Sequence, residues 1–153
     1  RNDVGRVAAY DSVQVDELMS VEHYSHVMHI VSNVVGTLQQ GKDAFDVIQA
    51  MFPGGTITGC PKKRCMEIID ELEPYARDIY TGSIGYLDWR GDLDLNIVIR
   101  TLVIHKGRGS LHVGAGIVHD SIPAREYEET LHKAQALFEA LYAAQQRPIP
   151  VSV

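Results

Sequence analysis

Two glutamates in the last third of the sequence have the spacing of a metal-binding pair. Glu126 and Glu129 are three residues apart, shortly after Pro123, and side chains with this spacing project from one face of a helix. Two carboxylates held in this way suit Mg²⁺, which binds one or two carboxylates together with oxygens of its substrate. The alternative is a solvated helix face on which Glu129 and Lys133 form an ordinary ion pair.

A second group of residues has the chemistry to bind an anion. Arg100 lies in an otherwise apolar segment, where a guanidinium needs a partner to offset its desolvation. A strand predicted at 110–118 places Gly114 and Gly116 on one face, so that a ligand can approach the bare backbone. The alternative is an internal ion pair such as Arg100 with Asp94, with the glycines serving as bulges.

The register of the predicted hairpins connects these residues. If residues 89–91 form a three-residue loop, Tyr80 falls opposite Arg100. If residues 107–109 close the next hairpin in the same way, Arg100 falls opposite Gly116. A phenol, a guanidinium and bare backbone would then line up across three adjacent strands. Because arginine binds carboxylates through two parallel hydrogen bonds, this arrangement would hold a carboxylate.

The elements that position these residues indicate an α+β fold. Segments rich in β-branched residues predict strands at 24–35, 79–88, 93–104 and 110–118. Apolar spacing, prolines and glycines predict helices at 43–52, 61–72 and 123–146, with a glycine-rich loop at 52–60. The apolar stripes predicted for these helices are Phe45, Ile48 and Met51; Met66, Ile69 and Leu72, which are predicted to face inward; and Tyr127, Leu131, Ala134, Phe138 and Leu141.

The composition excludes several classes of protein. A chain of 153 residues, 45% hydrophobic and 22% charged, is typical of one globular domain, predicted at 1–147 with a loose tail at 148–153. The net charge of −6 argues against nucleic-acid binding, and no apolar run is long enough to span a membrane. Cys60 and Cys65 match no metal or redox spacing, which predicts reduced thiols in a cytoplasmic protein.

Several motifs occur together in the order found in the chorismate-utilising enzymes, which this chain resembles from residue 1 to about 142. They are Arg-Asn-Asp-Val-Gly-Arg-Val at 1–7, Tyr-Ser-His-Val-Met-His-Ile-Val-Ser at 24–32, Phe-Pro-Gly-Gly-Thr-Ile-Thr-Gly-Cys-Pro-Lys at 52–62, Ile-Arg-Thr at 99–101, and the segments 114–123 and 126–133. Within this family, Tyr-Thr-Gly-Ser-Ile-Gly-Tyr at 80–86 is most similar to component I of aminodeoxychorismate synthase. The sister group, component I of anthranilate synthase, more often has Ala-Val in place of Ser83-Ile84.

The resemblance assigns roles to individual residues. The metal ligands that it implies, for Mg²⁺, are Glu126 and Glu129. The residues that it implies for binding chorismate are Tyr80, Arg100, Gly114, Gly116 and Lys133. It implies that Thr56 lines the pocket, and that His29 lies near the ring position that loses its hydroxyl; from its apolar neighbours alone, His29 would be a hydrogen-bonded core histidine.

The resemblance also implies a fold and a reaction. The fold is two stacked antiparallel sheets flanked by helices, and the reaction is amination of chorismate with ammonia from a glutamine amidotransferase partner. Family members are several-fold longer, so the chain is expected to be a C-terminal fragment without the remaining metal-binding glutamates and a catalytic lysine. The isolated chain is therefore predicted to be inactive, and an unpaired sheet edge predicts a dimer or a swapped assembly.

Overall fold

The computed structural model describes residues 1–23 and 28–146, which fall into two units. The first unit comprises residues 1–23 and 28–98, and the second comprises residues 99–146. The helices are α1 (Asn2–Gly5), α2 (Ala44–Met51), α3 (Gly55–Thr58), α4 (Lys62–Leu72) and α5 (Pro123–Gln146). The strands are β1 (Gln14–His23), β2 (Met28–Val35), β3 (Ser83–Leu87), β4 (Leu93–Ile97), β5 (Leu102–His105) and β6 (Arg108–Leu111).

The described strands pair as three two-stranded antiparallel sheets, each built from strands that are neighbours in sequence. The first unit contains β1–β2 and β3–β4, and the second contains β5–β6. Helices together with antiparallel strands confirm the predicted α+β class. The larger stacked sheets implied by the family resemblance remain a prediction.

The β3–β4 hairpin has the predicted loop. Leu87 is the partner of Leu93, and the backbone N–H of Asp88 donates to the carbonyl of Asp92 at 2.9 Å. Residues 89–91 therefore form a three-residue loop, in which Gly91 has a φ of 91°. A glycine takes this left-handed conformation without steric cost, which explains the residue type at this position.

The prediction for the next hairpin was wrong. His105 pairs with Arg108, so the loop is the dipeptide Lys106-Gly107 rather than residues 107–109. Both loop residues have positive φ, 49° and 74°, as in the type I′ turn that matches the twist of the strands. The resulting register joins Leu102 to Leu111 and differs by three residues from the one that would bring Gly116 opposite Arg100.

The predicted line of three adjacent strands is also interrupted at Arg100. Residues 93–104 do not form one strand, because β4 ends at Ile97 and β5 begins at Leu102. Arg100 has a φ of 51°, outside the extended region that a strand requires. Tyr80 precedes β3 in a turn, and both Gly114 and Gly116 follow the end of β6.

The first strand of the fold was not predicted from the sequence. Gln14–His23 form β1, which pairs with β2 from Gln14↔Val35 to His23↔Met28. Of the predicted strand 24–35, residues 28–35 form β2, while residues 24–27 lie outside the described residues, as does the predicted tail at 148–153.

The three long helices have nearly the predicted bounds. The Asp43 side chain accepts hydrogen bonds from the backbone N–H groups of Phe45 and Asp46, and the Asp46 carboxylate accepts from the Asp43 N–H, which forms a capping box. Pro61 is the residue before the first turn of α4. The last helix, α5, begins at Pro123 as predicted, at a position where a backbone N–H would have no intrahelical partner.

The apolar stripes predicted for the helices are mostly exposed. Among the described residues, the buried apolar side chains are Val7, Ala50, Val98 and Ala134. Phe45, Leu72 and Phe138 are 70%, 76% and 58% exposed, so the prediction that Leu72 faces inward was wrong. Their spacing identifies the apolar face of each helix, but within the described residues no element packs over these side chains to bury them. No helix within 1–23 and 28–146 is long and apolar enough to cross a membrane.

Candidate functional site

The second unit brings three predicted site residues together at one lysine. The ammonium Nζ of Lys133 donates to the carbonyl oxygen of Gly114 at 3.1 Å and forms an ion pair with Oε1 of Glu129 at 2.6 Å. Lys133 is on α5 and Gly114 follows β6, so this side chain ties the helix to the glycine segment. The Lys133 side chain is 22% exposed and the Glu129 side chain is 51% exposed, so solvent screens part of this ion pair.

Glu126 and Glu129 lie near the start of α5. The N–H groups of Arg125 and Glu126 both donate to the carbonyl of Ile122, at 2.9 and 3.1 Å. Glu126 is in the first helical turn, where the positive end of the helix dipole stabilises a carboxylate. The 126/129 spacing on one helix places both side chains on the same face.

The chemistry of these donors fits Mg²⁺. Two carboxylates are hard oxygen ligands, and Mg²⁺ takes one or two of them with substrate oxygens and water completing its shell. The Lys133 ammonium balances one of the two negative charges. Within residues 1–23 and 28–146, no group of three or more His, Cys, Asp or Glu side chains is arranged to hold a metal ion.

The segment between β6 and α5 has open space at one of its glycines. Residues 112–118 have no regular secondary structure, and a Cβ atom added to Gly116 would meet nothing within 4 Å. The segment then turns into α5 through a hydrogen bond from the N–H of Val118 to the Ser121 hydroxyl at 2.9 Å. The backbone at Gly116 is therefore open to an approaching ligand, as the predicted anion site requires.

Arg100, a candidate binding residue, has an unusual backbone conformation. Its φ of 51° is in the left-handed region, which costs about 1 kcal/mol for a residue with a Cβ atom. Its side chain is half-buried, and its Nε atom is buried. Strained residues of this kind concentrate at functional sites, where the surrounding structure holds them in place.

Tyr80 lines a cavity of about 600 Å³ in the first unit, together with Pro53, Thr58 and Arg77. The Arg77 guanidinium lies 5.7 Å from the centre of the Tyr80 ring, and its Nε donates to Glu73 at 2.8 Å. Burial raises the pKa of the Tyr80 phenol, and the Arg77 charge opposes part of that rise. The phenol is therefore a neutral hydrogen-bond donor at physiological pH.

The raised pKa of Tyr80 predicts a loss of stability at alkaline pH. The folded protein holds the phenolic proton to a higher pH than the unfolded chain, whose tyrosines titrate near pH 10. This contribution to the free energy of unfolding is complete below about pH 10 and is lost as pH rises through the folded value. Denaturant titrations of the full-length protein between pH 8 and pH 11 are expected to show a shallower decline for Tyr80→Phe. Equal slopes for the variant and the parent would contradict this prediction; Tyr10→Phe, at a fully exposed tyrosine, is the control.

His29 lies on β2 directly opposite Glu22 of β1. Directly opposed residues of an antiparallel pair project to the same face, and both of these residues are half-buried. The role of His29 stays a prediction. The carboxylate beside it was missed because β1 was not predicted; an alternation test that tolerates bulges would have been needed to find it.

Thr56 lies in α3, within the segment predicted to be a glycine-rich loop. The carbonyl of Gly54 accepts hydrogen bonds from the N–H groups of Ile57 and Thr58, at 3.0 and 3.1 Å, and so starts a single helical turn. Gly59 ends it with a φ of 99°, which a larger residue would rarely adopt. The segment is therefore more ordered than the predicted loop, and Thr56 is exposed on it.

The predicted site residues are divided between the two units. His29, Thr56 and Tyr80 belong to the first, and Arg100 and the other predicted residues belong to the second. Three charged residues of the first unit were not predicted as neighbours of the site. Glu22 lies opposite His29, Arg77 lies beside the Tyr80 ring, and Lys62 forms an ion pair with Asp3. Arg77 could have been suspected from its position three residues before Tyr80 in a turn.

Comparison with known proteins identifies the family. The sequence pattern of the family described as chorismate binding enzyme matches residues 1–139. The chain belongs to this family. A Synechocystis protein named anthranilate synthase component I-like protein is 60% identical over 92% of this chain and 29% of its own length. Aminodeoxychorismate synthase component 1 of Bacillus subtilis is 59% identical over 92% of this chain and 30% of its own length.

The chorismate binding fold is supported by a solved structure. Anthranilate synthase component I from Streptococcus pneumoniae TIGR4 superimposes with a TM-score of 0.81 and is 47% identical, covering 88% of this chain and 31% of its own. The chain therefore spans about 30% of the length of the curated relatives it matches. The near-equal identities of the two relatives do not separate the two kinds of synthase.

Proposed function

We propose that this chain supplies metal-binding and substrate-binding residues of an Mg²⁺-dependent enzyme that aminates chorismate to 4-amino-4-deoxychorismate. The observation that supports this best is the cluster of Lys133, Glu129 and the Gly114 carbonyl in a member of the chorismate binding family. Lys133 connects α5, which carries Glu126 and Glu129, to the backbone of the glycine segment. A metal ion held by these glutamates and an anion bound at that backbone would therefore be neighbours. Neither feature alone favours an anionic substrate as strongly.

In this proposal Glu126 and Glu129 hold the metal ion. Bound Mg²⁺ supplies positive charge that neutralises and orients a carboxylate of the substrate. Lys133 fixes the spacing between Glu129 and the backbone at Gly114. This fixed spacing matters because a substrate carboxylate bound both by the metal ion and by the backbone near Gly114 loses its freedom to rotate before the reaction.

The remaining charge of chorismate is assigned to Arg100 and Tyr80. The Arg100 guanidinium is suited to bind a carboxylate through two parallel hydrogen bonds, and the neutral Tyr80 phenol is a separate hydrogen-bond donor. With the ring held, ammonia adds as nucleophile and the ring hydroxyl leaves, so that the overall products are the amine and water. The ammonia is proposed to come from a glutamine amidotransferase partner, and His29 is proposed to lie near the departing hydroxyl.

Anthranilate formation is the second candidate. Ser83-Ile84 favours aminodeoxychorismate synthase, whereas the 60% identical relative carries the anthranilate synthase component I-like name. The two reactions share amination and differ afterwards. The anthranilate reaction goes on to release pyruvate, and the aminodeoxychorismate reaction retains the enolpyruvyl group.

A product assay on the full-length protein separates these proposals. Chorismate, Mg²⁺ and ammonium are expected to give aminodeoxychorismate without pyruvate, detected by mass and by a coupled lactate dehydrogenase assay. Fluorescent anthranilate with an equal amount of pyruvate would instead establish the second candidate. Absence of both amines would contradict the proposed amination. The isolated 153-residue chain, run in parallel, is expected to be inactive, and turnover by it would show that it needs no further residues.

A further inference from the structure

Lys62 is a half-buried lysine that has no role in the proposed reaction. Its Nζ lies 3.0 Å from Oδ1 of Asp3, and the two side chains are only 14% and 21% exposed. The same ammonium lies 3.5 and 3.4 Å from the carbonyl oxygens of Ala50 and Met51. These carbonyls belong to the last turn of α2, where the negative end of the helix dipole favours a cation.

These contacts close a loop at its two ends. The segment 52–61 leaves α2 after Met51 and enters α4 at Lys62. Because Lys62 binds carbonyls at the residues just before the segment, its side chain joins the exit of α2 to the start of α4. Thr56 lies at the middle of the segment so enclosed.

Asp3 reaches the same segment from α1. A Cβ atom added to Gly55 would lie 3.3 Å from Oδ2 of Asp3, so the carboxylate packs directly against the loop backbone beside Thr56. One carboxylate oxygen therefore holds Lys62 while the other borders Gly55. We call Asp3 and Lys62 the loop clamp.

We propose that the loop clamp positions Thr56 for the substrate, which makes Lys62 and Asp3 positioning residues of the active site. This inference rests on the proposed function, because Thr56 has a role only if the pocket binds chorismate. A purely structural ion pair is the competing explanation. Labelling of a nearby thiol tests whether Lys62 holds the loop, and coupling to Thr56 in the amination assay tests whether that contact positions Thr56.

The first test follows the loop by the labelling of Cys65. Gly59 of the loop adjoins this half-buried thiol, since a Cβ atom added to Gly59 would lie 2.9 Å from its Sγ. In the full-length protein, Lys62→Met is expected to accelerate alkylation of Cys65 by iodoacetamide about tenfold, because losing a largely buried partner favours local opening. The removed positive charge does not itself promote thiolate reaction, so acceleration reports exposure.

Lys63→Met is the matched control, because Lys63 is an exposed neighbour on the same helix. It is expected to leave the labelling rate of Cys65, followed by peptide mass mapping, unchanged. Equal Cys65 rates in the parent and Lys62→Met would overturn the proposal, as would equal acceleration in Lys63→Met. Asp3→Asn removes the other half of the clamp and is expected to reproduce the acceleration, which guards against an effect peculiar to the methionine substitution.

The second test is a double-mutant cycle in the amination assay. Lys62→Met and Thr56→Val are each expected to lower kcat by about tenfold, and the double variant to fall little further, since residues that act as one unit are not additive. Lys62→Arg keeps the charge and is expected to retain more activity than Lys62→Met. Multiplicative losses in the double variant would contradict the clamp. If the parent makes no amine, the proposed function fails, while the Cys65 labelling still decides whether the clamp holds the loop.

Discussion

Glu126→Gln in the full-length protein is expected to lower kcat/KM for chorismate by about 100-fold. Glutamine preserves the size and one oxygen of the side chain but removes the negative charge that a hard cation requires. A loss of about 3 kcal/mol of metal-mediated charge stabilisation corresponds to roughly this factor. Steady-state kinetics at saturating ammonium, measured across a Mg²⁺ titration, are expected to show half-maximal activity at a higher Mg²⁺ concentration in the variant.

Glu128→Gln provides the control for this experiment. The substitution removes the same charge from the same helix. Glu128 is two residues from Glu126, and this spacing places its side chain on another face of the helix. Activity within about twofold of the parent is expected, as for most exposed substitutions away from a site. Equal losses in both variants would assign the effect to the net charge of α5, and full activity in Glu126→Gln would remove this residue from the metal site.

Arg100→Lys is expected to raise KM for chorismate by about 30-fold. Lysine keeps the positive charge but cannot present two parallel N–H groups to a carboxylate, and one lost charge-assisted hydrogen bond is worth about 2 kcal/mol. Because the contact exists before and during the reaction, the loss is expected mainly in KM, with kcat changed less. Initial-rate kinetics over a wide range of chorismate concentrations make this measurement.

Arg108→Lys is the matched substitution, at an exposed arginine in β6. It is expected to leave both kinetic constants unchanged, and thermal unfolding of the two variants is expected to be similar. A KM for Arg100→Lys close to that of the parent would show that the guanidinium does not bind a substrate carboxylate. A large fall in unfolding temperature confined to Arg100→Lys would show instead that its side chain mainly supports the fold.

The helices of this chain could be predicted from sequence because their ends are marked locally. Asp43, Pro61 and Pro123 each begin a helix through interactions or conformational limits contained within one turn. Burial of their apolar faces could not be predicted in the same way. Spacing identifies an apolar face, whereas burial depends on which element covers it, and Leu72 and Phe138 remain exposed.

Strands were harder because small irregularities remove the signals on which their prediction depends. β1 has register shifts between Val15 and Glu17 and between Glu17 and Ser20, and Met19 has a φ of 55°. Each bulge breaks the alternation of faces by which a strand is recognised. At the β5–β6 turn, two residues with positive φ close the hairpin, whereas a three-residue loop was predicted. The pairing of β5 with β6 therefore differs from the predicted register.

The candidate site was partly predictable. The spacing of Glu129 and Lys133 left open a simple ion pair, and that pair is present at 2.6 Å. The additional bond from Lys133 to the Gly114 carbonyl joins residues 19 apart in sequence, so no local pattern reports it. The loop clamp is less predictable still, because Lys62 and Asp3 are 59 residues apart in sequence.

Within residues 1–23 and 28–146, each strand pairs with its neighbour in sequence, which has a consequence for how this chain folds. The β3–β4 and β5–β6 hairpins are closed by loops of three and two residues, so little chain entropy is lost in bringing each pair together. Local contacts of this kind form on the microsecond scale and do not wait for distant segments. On an emerging polypeptide, all residues of each of these two hairpins are present within about ten to fifteen residues of synthesis, before α5 begins.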